Sequence, residues 1–177
     1  MTTSREPGSH LRLVFTTPEE SRPNKPAAKG DRSDQLALPY PEETAVFLVF
    51  VETMDRDEFA GIFGDYTPRW VIDVRTVPRL DTIAGSRPSA FHLFRKSKAA
   101  YVDLFGKLGI RSYRSAESNP AIWGTVVSDL LRGSERKGPY LFLFDDESLF
   151  QAADRLLPNL IKPVIGKRAR FARIGHS

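Results

Sequence analysis

The chain has no cysteine among its 177 residues. That excludes disulfides, thiol catalysis and any cysteine-ligated zinc or iron–sulfur centre, and it fits a reducing compartment. Glycine is modest at 12 residues and 41% of the chain is hydrophobic, so collagen-like and wholly disordered classes are excluded. No apolar run approaches the roughly 18 residues of a membrane span, and the N-terminus lacks the apolar core of a signal peptide. The expectation is a cytoplasmic protein without membrane contact. The three histidines, His10, His92 and His176, share no ligand spacing, so no metal site is expected. Glycine-rich dinucleotide loops, P-loops and nucleophile elbows are all missing, which leaves no cofactor to expect.

What is present is organised in two parts. Residues 1–43 hold 6 basic and 7 acidic residues and 6 of the 13 prolines. Ser21 to Gln35 has almost nothing apolar to bury and cannot offset its ordering entropy. This reads as a flexible tail. Its segment Leu11–Phe15 is apolar and β-prone, and reads either as an added edge strand or docking segment or as unstructured chain. Residues 44–177 form the single domain, with a basic C-terminal stretch over 162–173.

Within that domain, Ala45–Val51 is an apolar run of the kind buried on both faces of a sheet. Asp55 and Glu58 fit a capping box ahead of a helix that turns Phe59, Ile62 and Phe63 inward. Trp70–Val74 predicts a second strand. Phe94, Tyr101, Leu104, Phe105 and Leu108, spaced mostly three or four apart, predict one helix over Ser89–Lys107 that Gly109 stops. Ile110–Tyr113 then predicts a third strand. A helix capped by Ser118 or Asn119, with Pro120 in its first turn, buries Trp123, Val127 and Leu131 with Ile122, Val126 and Leu130, and ends at Gly133. Tyr140–Phe144, a helix from Glu147 to Ile161, and an edge strand or tail over Lys167–Ile174 complete the pattern. Strands alternating with helices and no tight hairpin imply a three-layer, mostly parallel, doubly wound Rossmann-like sheet of about five strands.

Ligands of such sheets sit beyond the strands' carboxyl ends. The polar residues expected there are Glu52, Thr53, Asp73, Arg75, Arg114, Asp145 and Asp146. The connection after the second strand runs 14 residues, from Arg75 to Pro88, beyond the usual crossover length. Between Arg75 and Lys98, six basic residues face Asp81 alone, and Arg75, Arg79, Arg87 and Arg95 suit a phosphate as well as they suit a solvated loop. Asp73 has two readings. It is either the candidate catalytic group, as a base or a ribose-orienting carboxylate, or half of a buried ion pair with Arg75 two residues on. Asp145-Asp146-Glu147 resembles a catalytic or magnesium-binding cluster, but acids just before a helix are also what capping selects, and capping is the favoured reading. The basic residues of 162–173 would extend a nucleic-acid surface if they lay beside the basic loop, and would be ordinary surface charge if they lay opposite.

Trp70-Val71-Ile72-Asp73-Val74-Arg75-Thr76-Val77-Pro78, followed by Phe91 and by Leu108-Gly109-Ile110-Arg111-Ser112-Tyr113, resembles the domain-of-unknown-function 488 family. The resemblance spans roughly residues 45–161. It implies a compact α/β fold with a polar cluster around Asp73, Arg75 and Arg79. The family's later strand commonly carries a cysteine where this chain has Phe144-Asp145-Asp146-Glu147, and Glu52-Thr53-Met54 replaces a Gly-His-Ser-like turn. A divergent or inactive member is implied, without any thiol-dependent role. Two functions follow from the sequence. One is a module binding a nucleotide or nucleic-acid phosphate through Arg75, Arg79, Arg87, Arg95, Arg114, Asp145 and Asp146. The other is a catalytically inactive adaptor that binds a protein partner through residues 1–43.

Overall fold

The computed structural model describes residues 44–132, 138–165 and 169–175. The expectations for residues 1–43, for Gly133, and for Lys167, Arg168 and His176 fall outside the described residues.

The chain begins with β1 (Thr44–Phe50), α1 (Arg56–Tyr66) and β2 (Trp70–Asp73). Helices α2 (Leu80–Ala84) and α3 (Arg87–Lys96) lead to β3 (Ala100–Asp103). Then come α4 (Leu104–Leu108), α5 (Tyr113–Ser118), α6 (Pro120–Arg132) and β4 (Tyr140–Phe144). Finally, α7 (Glu147–Ile165) precedes β5 (Ala169–Ile174). All five strands are parallel, in the order β3-β2-β4-β1-β5. The architecture is a three-layer, Rossmann-like α/β fold.

Why the layers form is visible in the strands. Phe47, Val49, Val71, Leu141 and Leu143 pack on one face against Phe59, Ile62 and Phe63 of α1, Leu80 and Ile83 of α2 and Phe94 of α3. Val46, Leu48, Ile72, Phe142 and Phe144 pack on the other against Trp123 and Val127 of α6 and Leu149, Phe150 and Leu157 of α7. Two covered faces demand the unbroken apolar runs seen in β1 and β4. The steps from β1 to β2 and from β2 to β3 go toward one edge, while those from β3 to β4 and from β4 to β5 return. Right-handed crossovers therefore put α1–α3 on one face and α4–α7 on the other. The capping box at α1 is formed: Asp55 Oδ1 accepts from Glu58 N at 2.8 Å, and Glu58 Oε2 accepts from Asp55 N at 3.0 Å.

One stretch differs from its expected course. The predicted helix over Ser89–Lys107 is three elements, and the third strand is Ala100–Asp103 rather than Ile110–Tyr113. Helix α3 stops because Lys98 turns left-handed at φ 55°, with its N–H bonded to Arg95 O at 3.0 Å. Ala100 N then bonds Arg69 O at 2.9 Å and starts the strand. The three- and four-residue spacing was an accident of three successive elements each turning apolar residues inward. Downstream, Gly109 at φ 67° closes α4, where Ile110 N reaches Phe105 O at 2.9 Å, and Ser112 caps α5. Nothing is left of that segment to pair as a strand. The long connection after β2 likewise contains α2, and α7 continues past Ile161 to Ile165. Ala169–Ile174 forms β5, an edge strand along β1. Among the described residues no helix is long and apolar enough to cross a membrane.

Among the described residues Gly85, Gly109 and Gly175 hold left-handed backbone, and the last two do so for different reasons. At Gly109 an added Cβ would meet open space, whereas at Gly175 (φ 87°) it would lie 2.4 Å from Phe50 O. Gly109→Ala is expected to cost about 1–2 kcal/mol of backbone strain. Gly175→Ala should cost clearly more, because the clash pushes β5 off β1. Urea unfolding of the two variants side by side checks the order, and equal losses would contradict it.

Candidate functional site

Strand β4 lies between β1 and β2, whose exits lead to α1 and α2 on one face, while its own exit leads to α7 on the other. Neighbouring strands that leave in opposite directions open a crevice at their carboxyl ends. A cleft of about 320 Å³ lies there, lined by Val51, Glu52 and Met54 after β1, Arg75, Arg79, Thr82 and Ile83 after β2, and Asp145 after β4.

Its floor is an ion pair. Asp73 is in register with Leu143 of β4 and Asp103 of β3, so it lies inside the sheet with 0% exposure; Arg75 is 2% exposed. Asp73 Oδ1 accepts from Arg75 Nε at 2.8 Å and from Arg75 N at 3.2 Å. Asp73 Oδ2 accepts from Arg75 Nη2 at 2.7 Å and from Tyr101 Oη at 3.0 Å. A carboxylate offers about four lone-pair positions, and these four donors fill them. Asp73 therefore positions Arg75. The catalytic reading of Asp73 is corrected on this point, since a buried carboxylate with no open oxygen has no site for a substrate proton. The fork leaves both N–H groups of Nη1 and the second N–H of Nη2 as donors of Arg75, a residue that lines the cleft. Burial alone would lower the Arg75 pKa, but the hydrogen bond and charge of Asp73, helped by Asp145, raise it. Burial, followed by the charge and hydrogen bond of Asp73, holds the Tyr101 phenol far above its ordinary range.

The wall opposite is built by Asp145 and Tyr113. Tyr113 donates a short hydrogen bond to Asp145 Oδ1, and Tyr113 Oη accepts from Thr76 N at 3.2 Å. One phenol thus ties the start of α5 to the exits of both β2 and β4. Burial and the Asp145 bond push the Tyr113 phenol up to about 12. Asp145 itself is raised, since its burial outweighs the stabilising Tyr113 bond and Arg75 charge, and Asp73 and Glu52 add repulsion. The cleft thus combines two guanidinium groups with a half-buried and an exposed carboxylate, over the apolar surfaces of Val51, Met54 and Ile83. Such a set suits a ligand carrying both an anionic group and hydroxyls. Among the described residues no cluster of three or more acids or histidines has a metal-binding arrangement.

The other expected site residues scatter. Arg79 lines the cleft and is loosely paired with Asp81 at 3.5 Å, both largely exposed. Asp146 is a cap, its Oδ1 accepting from Leu149 N at 2.8 Å, as the capping alternative had it. Arg87 lies in the first turn of α3, held 5.6 Å over the Phe91 ring and outside the cleft lining. Arg95 is in the last turn of α3, close to where Ala100 meets Arg69 at the amino ends of the strands. The helix carries it to the wrong end of the sheet, which removes it from the site. Arg114 is exposed on α5, next to Tyr113 and outside the cleft lining. Of the described basic C-terminal residues, Lys162 and Arg173 lie away from the loop. Lys162 lies 5.9 Å over Phe171, and Arg173 meets Asp154 of α7 at 3.6 Å, on the α7 face. Sequence reasoning missed Tyr101 and Tyr113, which it treated as an apolar helix position and a strand residue. No local signal marks either phenol, because both partners are distant in sequence. A scan against protein-family models, a search of curated proteins and a search of solved structures each found no match.

Two predictions test this wiring. Asp73→Leu or Arg75→Met alone should each lose about 3–5 kcal/mol, by stranding a buried charge. The double variant should recover most of that, and additive losses in denaturant titration would refute the pairing. Tyr113→Phe should cost about 1.5 kcal/mol at neutral pH through the lost bond to a carboxylate. The folded-state pKa of Tyr113 is raised to about 12 from 10, so its contribution is complete below pH 10. It should be lost as pH rises through 12, so the stability gap between wild type and variant closes over that window. A gap independent of pH would contradict the assignment.

Proposed function

We propose that this protein is a divergent member of the domain-of-unknown-function 488 family whose switch-point cleft binds a nucleotide. The carrying observation is that Arg75 and Arg79 enter one cleft with Asp145 and Glu52. The guanidinium groups take the phosphate, with Arg79 free to swing from its weak surface pair with Asp81. Arg75 is pre-organised by Asp73, so little side-chain entropy is lost when its Nη1 meets an anion. Asp145 and Glu52 accept from the ribose hydroxyls, and Val51, Met54 and Ile83 supply apolar surface. The Asp73-Val74-Arg75 segment that carries the family resemblance is also the segment that forms the cleft floor.

Calorimetric or NMR titration with AMP, ribose 5-phosphate and inorganic phosphate tests the reading. AMP should bind most tightly and phosphate most weakly. Arg79→Ala should weaken AMP by about tenfold, and Asp145→Asn should weaken AMP and ribose 5-phosphate but leave phosphate unchanged. No binding of any of the three at low ionic strength would reject the assignment.

A further inference from the structure

Beyond the cleft, two arginines mark a path along α2. The guanidinium of Arg56, at the start of α1, is packed against Gly85 at the end of α2: an added Cβ there would come within 2.3 Å of Arg56 Nη2 and Cζ. The guanidinium occupies the space that a side chain at position 85 would take. Two residues on, Arg87 opens α3 with its guanidinium held 5.6 Å over Phe91. Both arginines are exposed, and among the described residues neither has an ion-pair partner. Of the acids beside Arg56 in sequence, Asp55 and Glu58 are engaged in the capping box of α1.

Arg79 stands at the start of α2 and the Arg56–Gly85–Arg87 group at its end, about 9 Å apart along the helix axis. One or two backbone steps of an extended nucleic-acid strand cover that distance. Val77, two residues before Arg79, is 63% exposed and offers apolar surface.

We infer that the polymer recognised here is a single-stranded nucleic acid, with one nucleotide seated in the cleft and the adjoining backbone phosphates carried along α2 by Arg56 and Arg87. The inference rests on the nucleotide reading of the cleft and names its substrate class. A guanidinium is worth more than a lysine ammonium for this task, since its planar fork matches phosphate and its face stacks on bases.

Fluorescence anisotropy with a labelled ten-nucleotide single strand, run beside AMP titrations at several salt concentrations, tests it. Arg56→Ala and Arg87→Ala should each weaken the oligonucleotide by about three- to tenfold, with AMP affinity unchanged. Each should also lower the slope of log affinity against log salt by about 0.7. Lysine at either position should restore the salt slope but only part of the affinity. If AMP binds while both alanine variants hold the oligonucleotide as tightly as wild type, the path is overturned and the cleft reading stands. If the oligonucleotide binds through Arg56 and Arg87 but AMP does not bind, the path stands and the cleft reading falls. Equal affinity for a polyglutamate peptide of matched charge overturns the inference in favour of an acidic protein partner. Binding of neither nucleic acid nor AMP overturns both.

Discussion

A carboxylate buried at 0% exposure must be answered by a buried cation, and the carboxyl edge of this protein is arranged around that requirement. Asp73 sits in the pleat of β2 between Leu143 and Asp103, where water cannot reach it. Two residues on, the chain leaves the strand, so Arg75 folds back onto Asp73 through its own backbone N–H, Nε and Nη2. Tyr101 supplies the last donor from β3. A pair of this kind contributes little net stability against an apolar replacement. Its effect is geometric, because it sets one guanidinium at a fixed place in the cleft.

The neighbouring contacts extend that arrangement outward. Tyr113 joins Thr76, just past Arg75, to Asp145 at the end of β4, so the loops of β2 and β4 and the start of α5 are held by one oxygen. Arg75 lowers the cost of ionising Asp145 while burial raises it. The charges of the cleft are therefore coupled. Helix α2 performs two tasks: Leu80 and Ile83 anchor it in the core, while its ends present Arg79 and the Gly85 surface that receives Arg56.

Much of this framework was legible in the residues. The apolar runs of β1, β2 and β4, the Asp55–Glu58 capping box and the glycine at 109 specified their elements locally, and alternation of strand and helix implied the parallel sheet. Strand β3 was not legible, because Ala-Tyr-Val-Asp is too short to show a period of its own and its aromatic residue falls in step with the helices on either side. Of the site, Arg75, Arg79 and Asp145 were readable as polar residues just past strand ends. Arg95 was misplaced because charge counted along the chain ignores that α3 runs the length of the sheet.

The sequence by itself determined that the segments of β1, β2 and β4 are buried strands, since burial on two faces leaves an unmistakable apolar run, and it offered an ion pair with Arg75 as one of two readings of Asp73. Only the tertiary structure decided which strands are neighbours. The order β3-β2-β4-β1-β5 inserts β4 between β1 and β2, and that insertion brings Glu52, Arg75 and Asp145 to one cleft. It also decided that Asp146 is a cap and Asp145 a wall, and that Tyr113 serves both loops. Contacts between residues 28 to 37 positions apart follow from strand order and helix placement, which no local pattern encodes.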